Sequence, residues 1–356
     1  MSITPEVTFI PEWAEQDLVL LSWPNADMDW ASRLPEIEAC YRGITEAILE
    51  WEDLLILAKD TEHVRQFLGD RPRKHQLFLL EMECNDTWCR DYAPLSLHYH
   101  EADGTLRPLI VDFTFNGWGM KFAADRDNLV PRALYLSRAF TPDVAYVNGL
   151  SIVFEGGGIE SDGQGTLLTT DSVVVEPNRN AGVDEEVLRT HLMEILGGKR
   201  LLSLENGELE GDDTDGHIDT LARFLTPEMI AYVGCDDERD SHYHTLRRMR
   251  EELENFRTLE EKPYQLVELP LPPAIYDEEG ERLPATYANF LFVNGALLVP
   301  TYGVPSDEVA LERLRKALPE RTIVGVDSRA LIYQHGSLHC ATMQFPKGFI
   351  NKNKWN

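Results

Sequence analysis

Thr214-Asp215-Gly216-His217-Ile218-Asp219-Thr220-Leu221 places an imidazole two positions before a carboxylate, between a glycine turn and an apolar run. On an extended segment such positions share a face, so His217 and Asp219 are expected to enter one pocket. Two other short segments carry related chemistry. Trp88-Cys89-Arg90-Asp91 supplies a second carboxylate, and Gly336-Ser337-Leu338-His339-Cys340 supplies a thiol. Two carboxylates can grip the N–H pairs of a flat cation, and a thiol beside a histidine suits attack on that cation's central carbon. The set points to enzymology on a guanidinium group.

The spacing of these groups bears on the fold. Asp91 and Glu155 are 64 residues apart, Glu155 and His217 are 62 apart, and His217 and Cys340 are 123 apart, nearly twice that interval. If each group ends an equivalent strand, about five units of similar size surround one site. Glu155, within Phe154-Glu155-Gly156-Gly157-Gly158, stands to orient His217 or to contact substrate, and the glycines allow backbone to approach a ligand closely. The Cys340 thiolate is expected to be favoured by the bound cation or by a protonated histidine. Taken singly, Asp91 beside Arg90 fits a surface ion pair, His217 fits a turn, and Cys340 fits a small buried hydrophobe. Their joint occurrence favours chemistry.

The chain has 356 residues, 43% hydrophobic and 26% charged, enough for a sizeable core. At ~150 residues per domain the length suits two domains or one large barrel or propeller. Lys and Arg number 33 against 61 Asp and Glu, a net charge of −28. Such a surface repels nucleic acid and anionic membranes and concentrates cations. No apolar run reaches ~18 residues, and the N-terminal sequence does not read as a signal peptide. Cys40, Cys84, Cys89, Cys235 and Cys340 are sparse and odd in number, which suits free thiols in a reducing compartment; cytoplasm is the expected location.

Short branched or aromatic runs predict strands at Leu18–Leu21, Leu54–Leu57, Leu77–Leu80, Leu109–Phe113, Ser151–Phe154, Thr166–Leu168, Val173–Val175, Ala231–Val233, Phe290–Val293, Leu297–Val299, Thr322–Val326 and Leu331–Tyr333. Helical stripes interleave with them. One is Ile37, Tyr41, Ile44 and Ile48; a second is Val187, Leu188, His191, Leu192 and Ile195. A third is Tyr243, Leu246, Met249, Leu253 and Phe256, and a fourth, after an expected cap at Ser306, is Val309, Arg313, Leu314 and Ala317. The class is mixed α/β. No linker divides residues 1–346, which are expected to form a single domain, and the polar segment 347–356 is expected to fray.

The chain resembles the agmatine deiminase and bacterial-type peptidylarginine deiminase family of the guanidine-modifying (pentein) superfamily. The resemblance rests on Trp23-Pro24, Asn85-Asp86-Thr87-Trp88-Cys89-Arg90-Asp91, Phe115-Asn116-Gly117-Trp118-Gly119 and Glu155-Gly156-Gly157-Gly158. Pro177-Asn178-Arg179-Asn180, Thr214 to Phe224, Tyr287-Ala288-Asn289-Phe290 and Gly336 to Gln344 extend it over nearly the whole chain. It implies a five-bladed pseudo-fivefold α/β propeller with a central active site. It also implies that Cys340 is the nucleophile and His217 the general acid/base, that Asp91 and Asp219 bind the guanidinium, and that Glu155 supports them. Trp88 then walls the pocket, with Trp118 and Asp215 as further substrate contacts. The implied reaction is hydrolysis of agmatine to N-carbamoylputrescine and ammonia, a step toward putrescine, through an amidino-cysteine adduct without metal or organic cofactor. The expected partner is a small cationic guanidine, not nucleic acid or membrane; a homodimer is left open.

Other readings compete. Free arginine, peptidyl-arginine and amidino transfer use the same residue set, and a non-catalytic guanidine- or polyamine-binding module would keep the fold without needing the thiol. Glu160-Ser161 after the glycine run and Cys89 after Trp88 depart from the better-known agmatine deiminases, which bears on the substrate's tail. His98-Tyr99-His100 and His242-Tyr243-His244 suggest a metal-dependent hydrolase, but neither has a completing ligand pattern.

Overall fold

Short hairpin loops followed by longer helical crossovers dictate a recurring unit, because antiparallel strands join tightly whereas parallel strands need a long connection. The computed structural model describes residues 6–354. Within it the strands form five separate sheets, and each contains an antiparallel pair followed by a parallel neighbour. Leu291–Val293 and Ala296–Thr301 show the pattern plainly. They pair antiparallel across Asn294-Gly295, with Gly295 at φ 81°, and Ala296–Thr301 then pairs parallel with Thr322–Asp327 after helix Ser306–Ala317. Ala222–Thr226, Met229–Gly234 and Gln265–Pro270 repeat it around helix Tyr243–Asn255, and Glu160–Ser161, Thr166–Thr170 and Arg200–Leu204 around helix Glu185–Leu196.

The two four-stranded sheets add an edge to the same plan. Val7–Phe9 extends the sheet of Leu95–His100, Leu106–Thr114 and Ala145–Val153. In the other, Thr342–Pro346 pairs antiparallel with Gln16–Ser22, which pairs parallel with Asp53–Ala58 and onward to Leu77–Glu81. One sheet therefore holds strands from both ends of the described chain. The fold is mixed α/β, as the periodicities predict.

Several local expectations are corrected. Val173–Val175 lies in helix Asp171–Val175, because the Thr170 hydroxyl accepts from the Val173 N–H and caps the turn. Leu331–Tyr333 lies in the 3-10 turn Leu331–Gln334, which ends at left-handed His335. Ser306 is not the cap: its hydroxyl bonds the Tyr287 hydroxyl, while the Asp307 carboxylate accepts from the N–H groups of Tyr302, Gly303 and Val304. Val187 and Val309 face solvent at 45% and 44%, and the buried stripes are Leu188, Leu192, Leu196 and Ala310, Leu311, Leu314. Residues 347–354 are docked rather than frayed. Phe349 and Ile350 are buried, and the Asp17 carboxylate accepts from the N–H groups of Gly348 and Ile350. Trp355 and Asn356 lie outside the described residues. Among the described residues no helix is long and apolar enough to cross a membrane.

Candidate active site

The site is assembled from short turns between sheets. Asp91 lies in helix Cys89–Tyr92, Gly156–Gly158 and Ile218–Thr220 are single 3-10 turns, and Cys340 precedes strand Thr342–Pro346. His217 has extended backbone, but Asp219 is already inside the 3-10 turn, so the two converge through a turn rather than along one strand face. Glycine is required beside them: a Cβ on Gly157 would lie 2.6 Å from His217 Nδ1, 2.8 Å from Asp91 Oδ1 and 3.1 Å from Asp219 Oδ2. Residues 117–120 form a left-handed turn, with φ of 71°, 54°, 80° and 65°. Trp118 and Met120 are held there against a cost of ~1–2 kcal/mol each. The turn delivers the Trp118 indole N–H to Asp91 Oδ2 at 2.9 Å.

Contacts fix each group. Asp91 Oδ1 accepts from the Gly157 N–H at 2.9 Å and lies 3.5 Å from His217 Nδ1. His217 Nε2 is 3.5 Å from Glu155 Oε2, and neither ring nitrogen makes a hydrogen bond of good geometry. Behind it the Arg179 guanidinium donates to both Glu155 oxygens, at 2.9 and 2.8 Å. Cys340 Sγ lies 3.5 Å from Asp219 Oδ2 and accepts from the Asn289 amide at 3.1 Å. Asp219 Oδ1 is buried with no partner.

The charges are strongly coupled. Burial alone would lower the His217 pKa, but Asp91, Glu155 and Asp219 outweigh it and raise it to about 9. Burial, with Asp219 and Glu155, pushes the Asp91 carboxyl up to about 6. Burial also acts against the ionised Asp219 and Glu155, yet His339 holds the first below its ordinary value and Arg179 the second. Burial first, then Asp219 and Asp91, pushes the Cys340 thiol well above its ordinary value. All three influences favour the thiol over the thiolate.

Trp88, Asp91, Trp118, Phe122, Gly336 and Cys340 line the pocket, with Asp29, Asp86, Asp213, Thr214, Gln334 and His335 around it. About 430 Å³ lies inside, including the mouth, a size for a small molecule or a single side chain. His217, Asp219 and Glu155 are joined to the lining residues Asp91 and Cys340 by the contacts above but do not themselves line the pocket, and neither does Asp215. It sits at φ 66° and binds Lys121 at 2.7 Å and Arg179 at 3.4 Å, a brace for the wall rather than part of it.

Cys340, Asp219, Asp91, His217 and Glu155 are thus brought together, flanked by both tryptophans. Sequence reasoning left Asn289, Arg179, His339, Glu12 and the mouth carboxylates Asp29 and Asp86 without roles. Asn289 and Arg179 stood inside motifs already singled out; Glu12 gave no local signal. Neither histidine pair forms a metal centre: among the described residues the one group of three potential ligands is Glu12, Glu160 and His339, and the Arg223 guanidinium lies against both of its carboxylates.

The sequence profile of the Porphyromonas-type peptidyl-arginine deiminases matches residues 8–346. The chain belongs to that family. An agmatine deiminase of Stutzerimonas stutzeri is 30% identical over 367 residues, covering 95% of each chain. Among solved structures, a Porphyromonas gingivalis protein described as a candidate arginine deiminase is 49% identical with a TM-score of 0.90, covering 97% of this chain and all of that one. A cysteine-to-serine variant of a C. jejuni agmatine deiminase with substrate bound is 37% identical with a TM-score of 0.88, covering 98% of each. The chain is accordingly a hydrolase of guanidino C–N bonds.

Proposed function

We propose that this enzyme hydrolyses agmatine to N-carbamoylputrescine and ammonia, with Cys340 as nucleophile and His217 as acid and base. The observation that carries the reading is the buried thiol beside Asp219, whose Oδ1 is an unfilled acceptor, in a pocket that Asp91 also lines. A guanidinium donating to both would present its carbon to Sγ and neutralise the charges that keep the thiol protonated. The thiolate adds to that carbon, and His217, protonated at neutral pH, donates to the departing nitrogen, which leaves as ammonia. An amidino-thioether remains. Neutral His217 then takes a proton from water as its oxygen bonds to the carbon, and collapse to the urea expels the sulfur, which takes the hydroxyl proton in place of the one it lost to solvent as the cation bound.

The mouth supports a cationic tail. Asp86 is pushed up to about 6 by burial and by its like-charged neighbour Asp29, and neither has an ion-pair partner among the described residues. An ammonium between them relieves that repulsion, whereas the α-carboxylate of free arginine adds to it. The relatives' own names span agmatine, arginine and peptidyl-arginine, so the mouth, not the family, guides this choice. In the same reading the five sheets are blades of a pseudo-fivefold propeller, residues 1–346 act as one catalytic domain, and the enzyme works in the cytoplasm on a small guanidine. Ammonia release from agmatine, arginine, a blocked arginine peptide and methylated arginines, with Cys340→Ala as blank, tests it. Release led by agmatine and absent from the blank upholds the proposal; preference for arginine or the peptide overturns the tail assignment, and release by the blank overturns the mechanism.

A further inference from the structure

Cys340 is preceded by a second buried histidine that the reaction above does not use. His339 Nδ1 lies 2.8 Å from Asp219 Oδ2, and its Nε2 lies 2.7 Å from Glu12 Oε1. Its backbone is pinned as well: the N–H donates to Asn289 Oδ1 at 2.8 Å, and the carbonyl accepts from Arg90 Nε at 3.4 Å. Glu12 enters from the segment between strands Val7–Phe9 and Gln16–Ser22, and it also takes Arg90 Nη1 at 3.0 Å and the Arg223 guanidinium. Arg223 in turn meets Glu160. One carboxylate thus gathers two guanidiniums and an imidazole from three parts of the chain, the imidazole on the thiol's own segment.

We propose that His339, backed by Glu12, is the positioning residue of Asp219: it holds one carboxylate oxygen and leaves the other, Oδ1, open to the substrate's guanidinium. The inference rests on the proposed reading of the pocket and assigns its rear support. A free carboxylate rotates and both oxygens compete for donors; here Oδ2 is committed, and Oδ1 is left buried with no partner. An orphaned buried acceptor is costly unless a donor arrives, and the guanidinium supplies one.

The contacts also set the proton inventory. Arg223, His339 and Arg90 overcome the burial of Glu12 and hold it ionised, and Asp219 is likewise kept ionised. Both imidazole nitrogens lie at hydrogen-bond distance from carboxylate oxygens, and the proposal needs the hydrogen on Nδ1, where it is donated to Asp219 Oδ2. Burial and the guanidiniums of Arg223 and Arg90 hold the ring's proton affinity below the ordinary value, outweighing the opposite pull of Glu12 and Asp219.

The test is agmatine binding by calorimetry in a Cys340→Ala background, together with steady-state kinetics in the parent enzyme. His339→Leu removes both contacts and is expected to raise Kd and KM about tenfold or more, the effect of losing a charge-assisted hydrogen bond. His339→Asn returns an amide N–H near the position of Nδ1 and is expected to recover most of that loss, whereas a merely structural role predicts no selective rescue. Thermal unfolding of both variants separates folding from positioning. Equal Kd for Leu and Asn at matched stability, or wild-type affinity in His339→Leu, overturns the proposal. Nitrogen-15 chemical shifts of His339 at pH 7 report the ring state, and a tautomer with no proton on Nδ1 overturns the proposal. If the parent binds agmatine but turns none over, the proposed reaction fails while the binding arm still reads His339.

Discussion

Gly157 offers the sharpest perturbation of the site, because a single methyl group can be aimed at three functional side chains at once. In Gly157→Ala the new Cβ meets His217 Nδ1 at 2.6 Å and Asp91 Oδ1 at 2.8 Å. To reach an ordinary contact of ~3.5 Å the imidazole must retreat by about 0.9 Å and the carboxylate by about 0.7 Å. Neither can move freely, since His217 backs onto Glu155, itself locked by Arg179, and Asp91 is tied to Trp118. Overpacking of this kind costs about 1–3 kcal/mol of stability, and a displacement near 1 Å at reacting groups costs about 10²-fold in rate. Ammonia release measures the second effect and urea unfolding the first. The matching control is Gly43→Ala in helix Leu34–Ile48, where a Cβ meets nothing within 4 Å and should stabilise by about 0.5–1 kcal/mol. Wild-type kcat/KM in Gly157→Ala, with unfolding also unchanged, would refute the claim that backbone at 157 sets the spacing of His217 and Asp91.

Three further outcomes are expected. Cys340→Ser should abolish turnover while leaving agmatine affinity nearly intact, because the alcohol ionises far less readily than the thiol; retained turnover in that variant rules out the covalent route. Since the His217 pKa is raised to about 9, the proton on it, and the stability gained from its carboxylate neighbours, is fully present below its ordinary 6.5 and lost as pH rises through 9. The kcat/KM profile should therefore fall on its alkaline side near 9, and a flat profile to pH 10 removes His217 as the acid. Arg179→Leu should cost about 3–5 kcal/mol in denaturant unfolding, because it leaves Glu155 buried and unpaired; a loss below ~1 kcal/mol means that Glu155 finds another partner.

Much of this architecture was legible because it is locally encoded. Leu18–Leu21, Leu54–Leu57 and Leu297–Val299 are apolar runs cut off by polar turns, and all three became buried strands. Val173–Val175 failed because β-branched propensity is weaker than a threonine cap at the right offset. His217 and Asp219 were rightly placed together by an argument that assumed the wrong backbone. The rest of the site depends on pairings that no local pattern records: Glu12 meets His339 across 327 residues, and Arg223 across 211. A lone glutamate between Pro11 and Trp13 has the same neighbours in sequence whether it faces solvent or two buried guanidiniums and an imidazole.

The sheet that joins Thr342–Pro346 to Gln16–Ser22 also fixes when activity can arise. The thiol sits two residues before that last strand, so its position is undefined until a segment made about 300 residues later returns to the first one, a closure of high sequence separation and correspondingly slow. A chain still leaving the ribosome can form four of its five sheets and yet hold no thiol in place. Newly made protein is therefore silent until its last strand is stitched to Gln16–Ser22.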